Sequence, residues 1–265
     1  MKKIVLVKIG GSSITNINVV NSAKIEAISR LATEIKEGGK KFNVLLGHGG
    51  GSFPHVPAHK YKTGLGLINE KSHLGASLTQ RSASELHSIV MQQLIKHDIP
   101  AFSFPPSASA IAKDRRIVKW DIEPIKKALD NGFMPVTYGD VVLDLKQGVC
   151  ISPTEELFRY IASKLRPTQI IIGTDVDGVY TCDPKTSKEA KLIPLIDSNN
   201  INGISADVGK LRKFNVTGGM GSKIRFLHNI SVNMGTECII INANKKNRLK
   251  DALTGKKVIS TKIVA

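Results

Sequence analysis

Cysteine is scarce: Cys150, Cys182 and Cys238 are the only three in 265 residues. They are widely separated, odd in number and without a Cys-x-x-Cys spacing, which excludes a disulfide framework and a cysteine-based zinc site. We expect them as small apolar residues in or near strands. No run approaches the roughly 18 apolar residues of a membrane span, and Met1-Lys2-Lys3 enters a short strand without the apolar region of a signal peptide. A cytoplasmic location with no membrane partner is the expectation. Aromatic residues make up only 5%, leaving few stacking platforms for single-stranded nucleic acid. Acidic residues are also in deficit, with 22 Asp and Glu against 38 Lys and Arg, a net charge of +16. Such a charge suits nucleic acid, an anionic surface or anionic small substrates. The basic residues fall into small groups such as Lys40-Lys41, Lys113 with Arg115-Arg116, and Lys245-Lys246 with Arg248, with no long tail. That pattern reads mostly as solvated surface and disfavours nucleic acid as the main partner.

What is present is an alternation of short apolar runs and helical periodicity. The runs Ile4 to Val7, Val44 to Leu46, Ala101 to Phe104, Met134 to Val136, Ile170 to Ile172 and Cys238 to Ile241 read as strands. Ile25, Ile28, Leu31 and Ile35 fall on one helical face that stops at Gly38-Gly39; Leu86, Ile89, Val90 and Leu94 mark a second helix and Leu157, Ile161 and Leu165 a third. Ile224, Leu227 and Met234 mark another, ending near Gly235. This order indicates an α/β protein with a mostly parallel sheet. Any lobe boundary is placed at Arg166-Pro167, and the polar stretch from Asn199 to Asn215 reads as a connection.

Glycine supplies the chemistry. Gly47-His48-Gly49-Gly50-Gly51-Ser52-Phe53-Pro54-His55 follows an apolar run, Lys8-Ile9-Gly10-Gly11-Ser12 follows the first strand, and Thr217-Gly218-Gly219-Met220 precedes Lys223. Glycine turns after strands let backbone N–H groups approach an anion closely, and helix N-termini add a favourable dipole. Three cradles, two of them with a lysine, suggest two phosphorylated ligands meeting. The P-loop, protein-kinase and dinucleotide signatures are missing: there is no Gly-x-x-x-x-Gly-Lys-Ser/Thr, no His-Arg-Asp with Asp-Phe-Gly, and the cluster at 47 lacks the last glycine of Gly-x-Gly-x-x-Gly.

Taken in order, Lys-Ile-Gly-Gly-Ser at 8–12, His-Gly-Gly-Gly-Ser at 48–52, Tyr-Gly-Asp-Val-Val at 138–142, Thr-Asp-Val-Asp-Gly-Val-Tyr at 174–180 and Thr-Gly-Gly-Met-x-x-Lys at 217–223 resemble the amino-acid-kinase superfamily over essentially the whole chain. Within it, the stretch from His48 to His55 followed by Ala58-His59-Lys60-Tyr61 is similar to the isopentenyl phosphate kinases; the bacterial enzyme that phosphorylates fosfomycin shares much of the pattern. The resemblance implies a three-layer α/β/α sandwich with a mostly parallel central sheet, usually a homodimer, in which residues 1–166 form the acceptor-binding lobe and 167–265 the nucleotide-binding lobe. It implies transfer of the γ-phosphoryl group of ATP to isopentenyl phosphate, giving isopentenyl diphosphate, an isoprenoid precursor. Left open beside it are another small-molecule kinase with a fosfomycin-like or nucleoside-monophosphate acceptor, and a nucleotide-binding regulatory protein without catalysis.

By the resemblance, Lys8 and Lys223 stabilise the transferring phosphoryl group. Ile9, Gly10, Gly11, Ser12, Gly51 and Gly219 would contact the ATP phosphates, and Asp175, Asp177, Gly178, Tyr180 and Lys185 the rest of the nucleotide. Mg2+ would bridge the β- and γ-phosphates without a direct protein ligand. Gly50, His55 and Pro153 would hold the acceptor phosphate, His55 as hydrogen-bond donor, with Leu74, Leu78 and Ile89 as a wall for the tail. His48 reads as a turn-forming histidine, Asp140 equally as a site residue or a turn cap, and His59, His73, His87, His97 and His228 as ordinary. The chain also departs from the family pattern. A lysine expected soon after the first glycine turn is replaced within Ser13-Ile14-Thr15-Asn16-Ile17-Asn18, leaving Lys60 or Lys62 as a stand-in. The family's Ser-Gly-Asp is replaced by Ser152-Pro153-Thr154-Glu155-Glu156, so that Glu155 or Glu156 takes over the ordering of Lys8. Pro54 stands where the family has glycine, so the proline φ must suit the turn that aims His55.

Overall fold

Strand β1 (Lys3–Ile9) sorts its side chains onto two faces with the period of two that a pleated strand imposes. Val5, Val7 and Ile9 join one apolar cluster and Leu6 the other; in the same way Val44 and Leu46 part from Leu45, and Ile171 from Ile170 and Ile172. Strands buried on both faces require a layer of helices on each side. The computed structural model, which describes residues 2–204 and 219–265, has that arrangement.

In chain order β1 is followed by α1 (Gly11–Ile14), α2 (Ile25–Gly38), β2 (Phe42–His48), α3 (His55–Lys60), α4 (Lys71–Lys96), β3 (Ala101–Ser103), β4 (Ile111–Lys113), β5 (Arg116–Lys119), α5 (Glu123–Asp130), β6 (Met134–Tyr138), β7 (Asp140–Asp144), β8 (Gly148–Ser152) and α6 (Thr154–Leu165). Then come β9 (Gln169–Thr174), β10 (Val179–Tyr180), β11 (Leu192–Ile193), β12 (Leu195–Ile196), α7 (Gly219–Met234), β13 (Glu237–Asn242), α8 (Arg248–Leu253) and β14 (Ser260–Ile263). The main sheet has the order β12-β14-β13-β9-β1-β2-β6-β3, parallel from β13 to β3, with β14 antiparallel to β13.

Leu31 and Ile35 of α2, Leu86 and Val90 of α4 and Leu249 of α8 cover one face; Ile125 of α5, Leu157 and Phe158 of α6 and Ile224 and Leu227 of α7 cover the other. The expected three-layer α/β/α sandwich is therefore the fold. All six apolar runs are strands, and all four periodic stretches are helices. Not foreseen was a separate four-stranded sheet, β5-β4-β7-β8, whose strands alternate too briefly to stand out. Cys150 and Cys238 are buried at strand positions, but Cys182 is partly exposed and faces the cavity described below. The Arg166-Pro167 boundary interrupts no layer: β1 pairs with β2 on one side and β9 on the other, so one sheet runs through both halves. Residues 205–215 of the expected polar connection, and Thr217 and Gly218 of the third glycine turn, lie outside the described residues. Among the described residues no helix is long and apolar enough to cross a membrane.

Candidate active site

Parallel strands place their carboxyl ends on one edge of a sheet, and the loops leaving β1, β2 and β9 open together there on a cavity of about 780 Å³. The first two loops interlock. A Cβ on Gly11 would stand 2.2 Å from the Gly51 nitrogen, and Gly51 itself has φ +54°, so the close approach needs glycine on both sides. The Gly49 N–H donates to Ile9 O at 2.9 Å and the Gly10 N–H to Gly173 O at 2.8 Å, which ties the three loops into one floor. Thr15 staples the first two: its Oγ1 donates to Gly11 O at 2.9 Å and accepts from the Ser52 N–H at 3.1 Å. Within the described residues nothing accepts from the N–H groups of Gly11, Ser12, Gly50 and Gly51, which leaves them as donors for an anion.

The same alternation that buries Leu6 turns Lys8 toward α6. Lys8 Nζ donates to Glu155 Oε1 at 2.6 Å, and Lys223 Nζ, one turn into α7, lies 3.7 Å from the same oxygen. Burial would raise the Glu155 pKa, but the charges of Lys8 and Lys223 and the Lys8 hydrogen bond outweigh it and hold the carboxyl at about 2. Lys223 is pushed down to about 8 by burial and by Lys8, against the pull of Glu155. Two cations on one carboxylate leave net positive charge facing the glycine floor. Of the two candidate glutamates, only Glu155 meets Lys8. Glu156 points the other way, accepting from Arg159, from Arg116 Nη1 at 2.9 Å and from the Ile117 N–H at 2.8 Å, and so anchors β5 to α6.

Pro54 takes φ −76° as the residue capping the start of α3, within the range its ring permits, and lies against Gly50. His55 follows in the first helical position and stands on the cavity wall beside Gly50 and Gly51. It is solvent-accessible at the opening, yet protein surrounds it closely enough that desolvation lowers its pKa. Pro153 and Thr154 at the start of α6 line the same region, with Thr154 Oγ1 donating to His48 O at 2.7 Å. At the outer rim Asp175, Gly178, Tyr180 and Lys185 line the cavity, Lys185 Nζ donating to Asp175 Oδ2.

Several expectations need correction. Ile9 does not reach the cavity; strand parity turns its side chain into the core with Val5 and Val7. Asp177 stands behind the rim, pairing with Arg248 at 3.1 Å and accepting from Tyr180 Oη, so it braces the loop. Leu74, Leu78 and Ile89 do not line the cavity, because the face of α4 turned to it carries Thr79 and Ala83; Leu74 is exposed and Ile89 packs on the core. The apolar wall is instead Ile17, Val20, Val56, Val141 and Ile151. Lys60 and Lys62 also stay outside it, Lys60 lying over the Tyr61 ring. A lysine that does reach the first turn is Lys24, whose Nζ donates to Ser12 O at 2.9 Å. Gly219 opens α7. Asp140 serves both readings: it lines the cavity and accepts from the Ser107 and Val141 N–H groups, while burial raises its pKa. Thr15, Lys24 and Thr154 were missed; Thr15 and Thr154 had a signal, each lying inside an altered motif. Among the described residues no group of three or more His, Cys, Asp or Glu side chains is arranged to hold a metal ion.

Comparison with known proteins agrees with this geometry. The model of the amino acid kinase family matches residues 3–242. The chain is 36% identical over 266 residues to an isopentenyl phosphate kinase of Methanothermobacter thermautotrophicus, covering 98% of both chains, and 33% identical to one of Methanocaldococcus jannaschii, covering 94% and 95%. An isopentenyl phosphate kinase solved by X-ray crystallography superposes with a TM-score of 0.85 at 34% identity, over 98% of this chain and all of that one. The chain belongs to the amino acid kinase family, and within it to the group of the isopentenyl phosphate kinases.

Proposed function

We propose that this protein transfers the γ-phosphoryl group of MgATP to isopentenyl phosphate, giving isopentenyl diphosphate and ADP. The observation that carries the reading is the Lys8–Glu155–Lys223 cluster aimed at two interlocked glycine turns in one cavity. Phosphoryl transfer asks for in-line positioning and neutralisation of spread charge more than for covalent help. An acceptor phosphate, with a second pKa near ~6, is already nucleophilic at neutral pH, so no general base is needed.

In this reading the N–H groups of Gly11, Ser12 and Gly51 cradle the ATP phosphates, Gly10, its own N–H held by Gly173 O, lets them approach closely, and Gly219 meets them from α7. Asp175, Gly178, Tyr180 and Lys185 hold the nucleotide at the rim, with Asp177 bracing them. Mg2+, carried in by the ATP phosphates and not by protein side chains, would supply neutralising charge on them. Gly50, His55 and the Pro153 turn hold the acceptor phosphate. An oxygen of that phosphate attacks the γ-phosphorus in line, the bond to the β-phosphate oxygen breaks, and ADP leaves with the negative charge. Lys8 and Lys223 neutralise the moving group, and bound phosphate anions hold Lys223 protonated. Residues up to 166 then supply most acceptor contacts and those from 167 most nucleotide contacts.

A cytoplasmic location follows from the need for ATP. A homodimer is proposed on the family resemblance and on exposed Phe102 and Phe133 beside the edge strand β3; sedimentation at micromolar concentration tests it. ADP release coupled to a colour reaction, with isopentenyl phosphate, fosfomycin and nucleoside monophosphates offered in turn, tests the activity. Release with isopentenyl phosphate at least ~100-fold more efficient than with the others is expected. Preference for another acceptor reassigns the substrate, and no acceptor-dependent release overturns the kinase reading.

A further inference from the structure

His48 is buried directly before the glycine floor, and its ring is one link in a chain of hydrogen bonds that ends at Ser103. His48 Nδ1 lies 3.1 Å from Gly49 O, His48 Nε2 lies 3.1 Å from His87 Nδ1, and His87 Nε2 lies 2.7 Å from Ser103 Oγ. A carbonyl only accepts, so Nδ1 of His48 must carry its proton. Burial keeps both imidazoles neutral, with values lowered to about 4 for His48 and about 3 for His87. Each neutral ring has one donor and one acceptor nitrogen, so the remaining directions follow. Ser103 donates to His87 Nε2, His87 Nδ1–H donates to His48 Nε2, and His48 Nδ1–H donates to Gly49 O. Tyr138 lies nearly parallel to both rings, 4.2 Å from the centroid of His87 and 5.6 Å from that of His48, and fixes their plane.

The far end of this chain is a peptide group. All peptide bonds among the described residues are trans, so the Gly50 N–H points opposite to the Gly49 carbonyl. Other groups around it are already engaged: Gly49 N–H donates to Ile9 O, and His48 O accepts from Thr154 Oγ1 and the Gly139 N–H. Gly50 has no side chain to bias its own orientation, and its N–H has no acceptor among the described residues. We infer that His48 and His87 are positioning residues: by drawing the Gly49 carbonyl toward the buried relay they aim the Gly50 N–H into the cavity as an anion donor. The inference rests on the proposed role of Gly50 at the acceptor phosphate. It assigns a function to His87, an unremarkable helix histidine by sequence, and explains why a histidine precedes the glycines.

The test compares two amides at position 48. Asparagine places its N–H₂ group where Nδ1 stands, and glutamine where Nε2 stands. His48→Gln is expected to raise the KM for isopentenyl phosphate about 10-fold with the KM for ATP changed less than ~2-fold, and His48→Asn to recover most of that loss. Ser103→Ala, at the end of the relay, is expected to raise the acceptor KM by ~2-fold. Equal behaviour of the two amides, or equal movement of both KM values, overturns the inference. In the unaltered protein, nitrogen-15 NMR of the imidazoles at pH 7 is expected to show His48 protonated at Nδ1, and titration with inorganic phosphate to shift the Gly50 amide. Protonation at Nε2, or an unmoved Gly50 amide, overturns it without any variant. Because those spectra need no turnover, they decide the relay even if isopentenyl phosphate proves not to be the acceptor.

Discussion

At the inner end of the cavity Lys8 and Glu155 are only 8% and 17% exposed and share their charge with Lys223, whereas at the rim Lys185 and Asp175 stand 47% and 28% exposed on a loop. The inner groups sit on β1, which the core covers on both faces, and on α6 and α7, which pack on that core through their apolar faces. Weak screening there makes each charge count, and rigid supports fix its direction. At the rim, solvent and salt weaken every pair, and the loop can lose a contact and keep its fold. The inner end is therefore built to act on the transferring group, and the rim to hold what is bound.

Lys8→Met should break this contrast most severely, lowering kcat by about 10²- to 10³-fold with both KM values within a few fold. A loss under tenfold would place Lys8 with the rim. Acid should then discriminate between the ends by stability. The folded-state values of His48 and His87 lie below the ordinary 6.5, and that of Glu155 below 4.5, so the unfolded chain binds more protons in each case. Their contribution is fully present above about pH 6.5 and is lost as pH falls, first through the histidines and then, below pH 4.5, through Glu155. Urea unfolding at pH 7 and pH 4 should differ by on the order of 3 kcal/mol, the lower pH being less stable. Equal midpoints would show that the inner groups titrate like exposed ones.

Neighbouring glutamates sharpen the comparison further. Glu155→Gln should reduce kcat by about 10- to 100-fold, because Lys8 and Lys223 lose the anion that spaces them. Glu156→Gln should change kcat by less than ~3-fold and instead lower stability by about 1–3 kcal/mol, since Arg159 and the Ile117 N–H lose their acceptor. Normal turnover in both variants would remove the ordering role. His55→Ala is expected to raise the acceptor KM by about 10-fold and spare ATP, as loss of a hydrogen bond to a charged group does; steady-state kinetics with each substrate varied checks it. The smallest effect belongs to the rim: Lys185→Ala should raise the ATP KM by only ~2-fold, and less in 0.5 M salt.

Much of the fold was legible because strands and helices announce themselves by period, and the short runs around Leu6, Leu45 and Ile171 are uninterruptedly apolar. The small mixed sheet was not, since strands as short as Ile111–Lys113 carry too few residues for a period to show. In the site, the glycines and the two lysines were readable because close approach to an anion demands them locally. Thr15, Lys24 and Thr154 were not, because each acts through a contact that exists only when separate loops meet. The tail wall was misplaced for a similar reason: apolar spacing shows that α4 has a buried face, and cannot say which part of that face meets core and which meets cavity.

By itself the sequence determined the alternation of strands and helices, the glycine turns at strand ends and the charges beside them, all set by local sterics and by periods of two and 3.6. Tertiary structure alone decided that Glu155, and not its neighbour, meets Lys8. Successive helical residues point about 100° apart, so a single register of α6 against β1 sends one carboxylate to Lys8 and the other toward Arg116 and Arg159. It decided too that His48 and His87, 39 residues apart, share a hydrogen bond. Side-chain partners across that separation are chosen by packing, which no local pattern records.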